Sequence, residues 1–303
     1  MPYRNPQDVF EAPGRFYKGN IHTHSTNSDG RLEPAAVCAQ YREAGYDFLC
    51  LSDHFLARYD FPISDTRPYR TRNFTTLIGA EVHAPATTLG DLWHILAVGL
   101  PGDFPATGDD ETGPQLAARC AAAGAFVGIA HPQWYGLTLG DAMTVLDSAH
   151  AVEVYNHTCA VNRDRPDGFT LLDELSSRGY RLGAYAVDDA HFHASDAFGG
   201  WVMVKAEANE PEALLASLKA GNYYASQGPA LHGIHRDGDR LVVECSPAVS
   251  ILAVGQGAAG DMRHGAALTR ASFELERFRA AGWLRIVVVD RAGRRGWSGP
   301  IWL

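Results

Sequence analysis

Apolar positions in this chain gather into short runs separated by longer amphipathic stretches. The runs are GNIHTHS (19–25), YDFLCLSDH (46–54), TTLIGAEVH (75–83), HILAVGL (94–100), AFVGIAHP (125–132), AVEVYNH (151–157) and RLGAYAVDDAH (181–191). Each has strand length, and several are apolar at nearly every position, as strands covered on both faces are. Between them, 33–45, 113–124 and 169–179 carry helical periodicity, and Gly124 and Gly179 fall where a helix C-cap belongs. This alternation predicts an α/β fold on a parallel sheet with right-handed crossovers, open or closed into a barrel. After GGWVMVKA, EPEALLASLKAG and NYYASQGP, the character changes near residue 229. Short β-like segments (RLVVECS, SILAVGQG, SFELERF, WLRIVVVD) then alternate with turn-rich pieces, predicting a small β-sandwich-like module over 229–303 after a first domain at 1–228.

Composition narrows the class. With 303 residues, 46% hydrophobic and 20% charged, the chain can bury a large core without metals or disulfides for support. No apolar run reaches about 18 residues, and the first residues lack the apolar stretch of a secretory signal, so neither membrane span nor export is expected. Five scattered cysteines, Cys38, Cys50, Cys120, Cys159 and Cys245, form no C-x-x-C pair and fit a reducing, cytoplasmic setting. A net charge of -9 argues against duplex nucleic acid as a partner. An anionic small molecule remains compatible with it if cations line the pocket.

The 13 histidines change the picture, because of where they fall. His22 and His24 end the first run, Asp53 and His54 the second, Glu81 and His83 the third. His94 opens the fourth, His131 ends the fifth, Asn156 and His157 the sixth, Asp189 and His191 the seventh. Ligands in α/β sheets bind at the carboxyl ends of strands, so this pattern collects donors at one rim. His22 and His24, like Asp189 and His191, share a face two residues apart. Nitrogen and oxygen donors without thiolate suit zinc, manganese or iron. Asp29-Gly30 alone would read as a turn, but beside H-x-H it joins the donors. His83 reads as a supporting group for Glu81. His150, His193, His232, His235 and His264 lie outside the pattern and read as solvated, and Cys159 as a small buried residue. Trp93 and Trp134 could wall a pocket or pack in a core. Arg163 and Arg165 could clamp an anion bidentately or lie in a surface loop.

Together, H22-T-H24-S-T-N-S-D29-G30, S-D53-H54, G-A-E81, A-H131-P and D189-A-H191 resemble the PHP (polymerase and histidinol phosphatase) metallohydrolases over residues 18–228. The opening K-G-N-I-H-T-H and the ending G-W-S-G-P-I-W look more particularly like the carbaryl-hydrolase-like branch, whose members carry a β module after the barrel. The resemblance implies a distorted seven-stranded (β/α) barrel holding two or three divalent ions. Carried over by motif, one ion would take His22, His24, Glu81 and Asp189, and a second Glu81, His94 and His131. A third would take Asp29, His54 and His191, with Asp29 standing where some members have histidine. His157 has no ligand role in this mapping and would contact substrate or donate a proton.

Two readings of the chemistry follow. One is a phosphoesterase in which a metal-bridging hydroxide attacks phosphorus, Arg163 or Arg165 neutralises the phosphoryl oxygens, and Asp53 and His157 assist. The other is hydrolysis of a carboxylic ester, amide or carbamate by the same hydroxide. A non-catalytic metal-binding module would not need so complete a donor set. The loop 58–72, rich in both arginine and aromatic residues, leaves the first two open.

Overall fold

A computed structural model describes residues 5–303. Helix α1 (Pro6–Glu11) and strand β1 (Arg15–Asn20) are followed by α2 (Pro34–Glu43), β2 (Phe48–Leu51), β3 (His54–Phe55), β4 (Thr75–Ala84) and β5 (Trp93–Val98). Next come α3 (Gly113–Ala122), β6 (Phe126–Ile129), α4 (Leu139–Met143), β7 (Ala151–Asn156), α5 (His157–Arg163), α6 (Phe169–Ser177) and β8 (Gly183–Val187). The chain continues through β9 (Trp201–Ala206), α7 (Pro211–Ala220), β10 (Tyr223–Ser226), β11 (Leu231–Asp237) and β12 (Arg240–Gly255). It ends with β13 (Gly260–Glu274), β14 (Trp283–Val289), β15 (Arg295–Trp297) and β16 (Ile301–Trp302). The three helices expected from periodicity all form. Helix α3 starts at a reciprocal cap: Gln115 donates its backbone N–H to the Thr112 hydroxyl, and its side chain accepts from the Thr112 N–H.

The result is a mixed α/β fold on one large sheet. Strand β2 is buried at all four positions, as its unbroken apolar run requires. Strands β1, β2 and β4 pair in parallel, as do β6, β7 and β8. Beyond the ends of β1 and β8 the chain pairs again: Thr23 bridges Ala190, Asp189 N–H donates to the His22 carbonyl at 2.9 Å, and His24 N–H to Ala190 at 3.0 Å. The H-x-H and D-A-H segments are thereby held side by side.

The sheet is not uniformly parallel. Strand β5 runs antiparallel to both β4 and β6, and β9 and β10 are also antiparallel to their neighbours. Residues 85–92 between β4 and β5 are too few for a helical crossover, so the chain returns as a hairpin. This reversal is why His94, at the start of its strand, reaches the rim where the other donors end theirs: it stands opposite His83.

The C-terminal segment is all β, yet its sheet is not detached. Strand β10 pairs with β15, so hydrogen bonding runs unbroken from β1 through β9 and β10 into β14 and β12. Strand β14 is buried on both faces: Leu284, Ile286 and Val288 join Ile234, Val243 and Phe273 in one core, while Val287 and Trp297 join the core under β4–β8. Arg285 donates twice to the Asp173 carboxylate of α6, at 2.8 Å each, across the same seam. No described helix is long and apolar enough to cross a membrane, and all five cysteines are buried and unpaired.

Candidate metal centre

Glu81, fully buried in β4, lies at the middle of the clustered donors. Its Oε1 is 2.7 Å from His94 Nδ1 and 3.0 Å from His131 Nε2. Its Oε2 is 2.7 Å from His54 Nδ1, 3.5 Å from His22 Nε2 and 3.6 Å from His24 Nε2. Asp189 Oδ1 faces the same two nitrogens, at 3.3 Å from His22 and 2.9 Å from His24. On the far side of His24, Asp29 Oδ1 is 3.4 Å from His54 Nε2 and 3.3 Å from His191 Nε2.

Asp189 adopts a left-handed backbone conformation, φ 56°, which costs a non-glycine residue energy and persists only where surroundings impose it. Here they do. Its carbonyl accepts from Thr158 Oγ1 at 2.7 Å and His191 Nδ1 at 2.8 Å, and Oδ2 accepts from Asn156 at 3.0 Å.

Hydrogen bonds on the outer nitrogens orient the rings. Acceptors hold the Nδ1–H of His22 (Glu153 Oε2, 3.0 Å), His83 (the Trp93 carbonyl, 3.1 Å) and His191 (the Asp189 carbonyl). With its proton on Nδ1, His83 offers a bare Nε2 to His54 Nδ1 at 2.9 Å, which leaves His54 Nε2 to face Asp29. Three ring Nε2 atoms, those of His22, His54 and His191, are thus turned toward the carboxylates, where a cation can take the place of a proton.

Protonation follows from the crowding of opposite charges. Burial opposes the charge on Glu81, but His54, His94, His83 and His22 outweigh it and hold the carboxyl well below the usual range. Asp189 is held down against burial by His22, His24 and His191. Burial likewise opposes the His54 imidazolium, yet Glu81 and Asp29 raise its pKa to about 10. His24 goes the other way, to about 4, through burial and the neighbouring His191 and His54. Ionised carboxylates among imidazoles competing for protons are what a divalent cation enters by displacing those protons.

Orphaned atoms test the fit. His22 Nε2 and His24 Nδ1 are buried without any hydrogen bond among the described residues, an arrangement that costs about 1–3 kcal/mol per group when nothing satisfies it. Four sets of donor atoms lie mutually within 4.8 Å: His24, Asp29, His54 and His191; His22, His24 and Asp189; His22, Glu81 and His131; His54, Glu81 and His83. The residues fit divalent metal.

A cavity of about 410 Å³ opens onto this cluster. Leu56, Leu92 and Trp134 supply apolar wall, and Arg58, Arg163, Asn162 and His193 supply polar wall. The Trp134 ring lies 5.2 Å from that of His131 and 5.4 Å from that of His94.

The structure thus brings together His22, His24, Asp29, His54, Glu81, His94, His131, Asp189 and His191, and puts Arg163 at the cavity. Three expected site residues lie elsewhere. Asp53 is buried beneath the 25–30 loop and takes Ser25 N–H, Ser25 Oγ, Ser28 Oγ and Ser64 Oγ at 2.6–2.8 Å, so its lone pairs serve the fold. His157 turns away, as a bulge in β7 moves the inward face from Tyr155 to Asn156. Its Nδ1 lies 2.9 Å from the Tyr155 hydroxyl, and its ring packs on Gly199. Arg165 is exposed, donates to the Trp134 carbonyl at 3.4 Å and does not line the cavity. His150 and His193, expected to be merely solvated, have partners: His150 accepts Val127 N–H at 3.1 Å, and His193 donates to the Asp29 carbonyl at 2.8 Å on the cavity wall.

Glu153 is not singled out by the sequence, and Arg58 is read there only as part of the 58–72 loop. A glutamate inside the apolar run AVEVYNH was the available signal for the first, since an unpaired carboxylate is almost never buried.

No family model matches the chain and no curated protein does. Among solved structures it is similar to a two-domain protein from Bacteroides vulgatus containing a predicted PHP-like metal-dependent phosphoesterase. The identity is 13%, the TM-score 0.55, and the match covers 96% of this chain and 95% of that one. Two weaker likenesses are a candidate metal-dependent phosphoesterase from Bifidobacterium adolescentis (17% identity, TM-score 0.42, 57% of this chain and 87% of that) and an amidohydrolase from Chromobacterium violaceum with bound sulfate (15%, 0.43, 59% and 89%). The first likeness shows that the fold of that two-domain protein is shared along nearly the whole chain. It does not distinguish branches within that fold.

Proposed function

We propose that this protein is a metal-dependent hydrolase of a small phosphoester. The observation that carries the substrate class is the state of two arginines. Arg58 and Arg163 both line the cavity, and neither pairs with a carboxylate among the described residues, whereas Arg67, Arg119, Arg285 and Arg294 each do. Guanidinium groups left unpaired beside a metal cluster favour a substrate that brings its own negative charge.

In this reading β1, β2 and β4–β8 form a distorted seven-stranded barrel, supported by the Thr23–Ala190 bridge, and 229–303 is its appended module. His22, His24, Glu81 and Asp189 would hold one zinc, manganese or iron ion, Glu81, His94 and His131 a second, and Asp29, His54 and His191 a third. When bound, such ions lower the pKa of water toward neutrality and act as Lewis acids on the scissile group. The chain's own residues then position the substrate. Arg58 and Arg163 receive the anionic oxygens, Trp134 and Leu92 shelter the alcohol portion from water, and His193 is the exposed imidazole placed to hold a proton for the leaving oxygen.

A second reading, hydrolysis of a carboxylic ester or carbamate, is favoured by the apolar wall of Leu56, Leu92 and Trp134. A hydrolysis screen of metal-loaded protein decides between them, setting phosphomonoesters and diesters against aryl esters and carbamates. Under the first reading, Arg58→Met and Arg163→Met each lower kcat/KM for the phosphoester by about 10- to 100-fold, the worth of a charged hydrogen bond. Bound metal, measured by elemental analysis, stays constant in both. Glu81→Ala should lose more than one ion, and a fully loaded, active Glu81→Ala protein would overturn the metal assignment.

A further inference from the structure

We infer that Glu153 is a positioning residue, which fixes the nitrogen that His22 presents to the metal and ties three donors to one buried carboxylate. This rests on the metal reading above. Glu153 is 1% exposed, in the middle of β7, and does not line the cavity over the donor cluster. Its two oxygens are divided. Oε2 faces His22 Nδ1 at 3.0 Å, while Oε1 accepts both the His131 backbone N–H at 3.1 Å and Asn156 Nδ2 at 2.7 Å. The same Asn156 amide reaches Asp189 Oδ2 at 3.0 Å. An ionised carboxylate can only accept. His22 must therefore keep its proton on Nδ1, which leaves the Nε2 lone pair aimed between Glu81 Oε2 and Asp189 Oδ1, at 3.5 and 3.3 Å.

The division of the oxygens makes the isosteric change informative. In Glu153→Gln the amide oxygen must stay on the Oε1 side, because two N–H donors point there. The amide NH2 then faces His22 Nδ1, which can only answer as an acceptor. A neutral His22 would carry its proton on Nε2, where it blocks coordination. Shape and packing volume hardly change, so a residue that merely filled space would tolerate the substitution.

The experiment uses the full chain, stripped by chelator and titrated with zinc. Histidine ring 15N shifts of the loaded native protein should show His22 protonated at Nδ1 and zinc-bound at Nε2. In Glu153→Gln the tightest zinc affinity should fall roughly 10- to 100-fold, the usual effect of removing an outer partner of a ligand, with loss of that ring signature and an unchanged circular dichroism spectrum. Native-like zinc affinity and ring shifts in Glu153→Gln would overturn the role of Glu153 alone. If the variant does not fold, the native spectrum decides by itself: zinc on His22 Nδ1 excludes the proposal. A native protein that binds no zinc, manganese or iron would overturn the metal reading with it.

Discussion

Asp188 accepts the Tyr41 hydroxyl at 2.7 Å, and both side chains are fully buried. The same carboxylate gathers the backbone N–H groups of Phe198, Gly199 and Gly200 at 2.7–2.9 Å, pinning the segment that follows the Asp189 and His191 donors. On the other side, Tyr41 receives the hydroxyl of Thr23, which stands between His22 and His24. One buried anion therefore braces two donor-bearing segments. Asp188→Asn keeps the acceptor for the Gly199 and Gly200 amides and loses the one used by Tyr41 and Phe198. Two hydrogen bonds to a charged group are lost, so stability should fall by about 3–6 kcal/mol in urea unfolding. An unchanged midpoint would show that Asp188 braces nothing.

His150 sets a pH dependence that can be isolated. Burial, reinforced by Lys219, lowers its pKa from 6.5 to about 4, and the neutral ring accepts the Val127 N–H. In the unfolded chain the ring takes up a proton near its ordinary value, so between these limits the unfolded state binds more protons than the folded one. The contribution is complete above pH 6.5 and is lost as pH falls toward 4. Asparagine can offer its side-chain oxygen to the same N–H. Between pH 7 and pH 5 the Tm of the native protein should therefore drop further than that of His150→Asn. Parallel curves would contradict the assignment.

What was legible in the sequence was position along strands. His22, His24, His54, Glu81, His131, Asp189 and His191 could be collected because donors at the ends of apolar runs violate the preference of buried strands for Val, Ile and Leu. Direction and local register were less legible. The reversal of β5 follows from the short link 85–92, not from its apolar pattern. The extra residue at Val154 breaks the period of two, which delivers Asn156 instead of His157 to the donors. The three serines that saturate Asp53 come from two segments, Ser25 and Ser28 before it and Ser64 after it, which no spacing rule joins to it. For the same reason the union of β10 with β15, which makes one sheet of two regions, was invisible.

That union has a measurable consequence. Trp297, 5% exposed, stacks on Tyr155 of β7 at 5.8 Å and packs against Phe169 of α6 at 5.8 Å. Truncating a buried tryptophan typically costs 3–5 kcal/mol through lost burial and the cavity left behind, so Trp297→Ala should destabilise the protein by about that amount. With a continuous sheet and a shared core, the chain should melt as one unit, with bound metal unchanged before unfolding. Two transitions, only one of them shifted, would mean that 229–303 unfolds independently.

The last expectation concerns which imidazole serves the substrate. His157 ends an apolar run, and regular alternation from the inward Glu153 would turn it to the donors. The bulge cancels that alternation: Asn156 takes the inward place, bonding Glu153 and Asp189, and His157 shares the opposite face with Tyr155. Gly199 then packs so closely on the His157 ring that even an added Cβ would collide with it. His193, by contrast, lines the cavity, with its Nε2 tied to the Asp29 carbonyl and its Nδ1 available. His193→Asn should therefore lower kcat by roughly 10²-fold or more, the range for a lost general acid, while metal content holds. His157→Asn should leave kcat and metal content at native values, with any effect confined to stability. The reverse pattern, a large fall in kcat for His157→Asn and none for His193→Asn, would show that β7 rearranges when substrate binds and that the bulge is a resting feature.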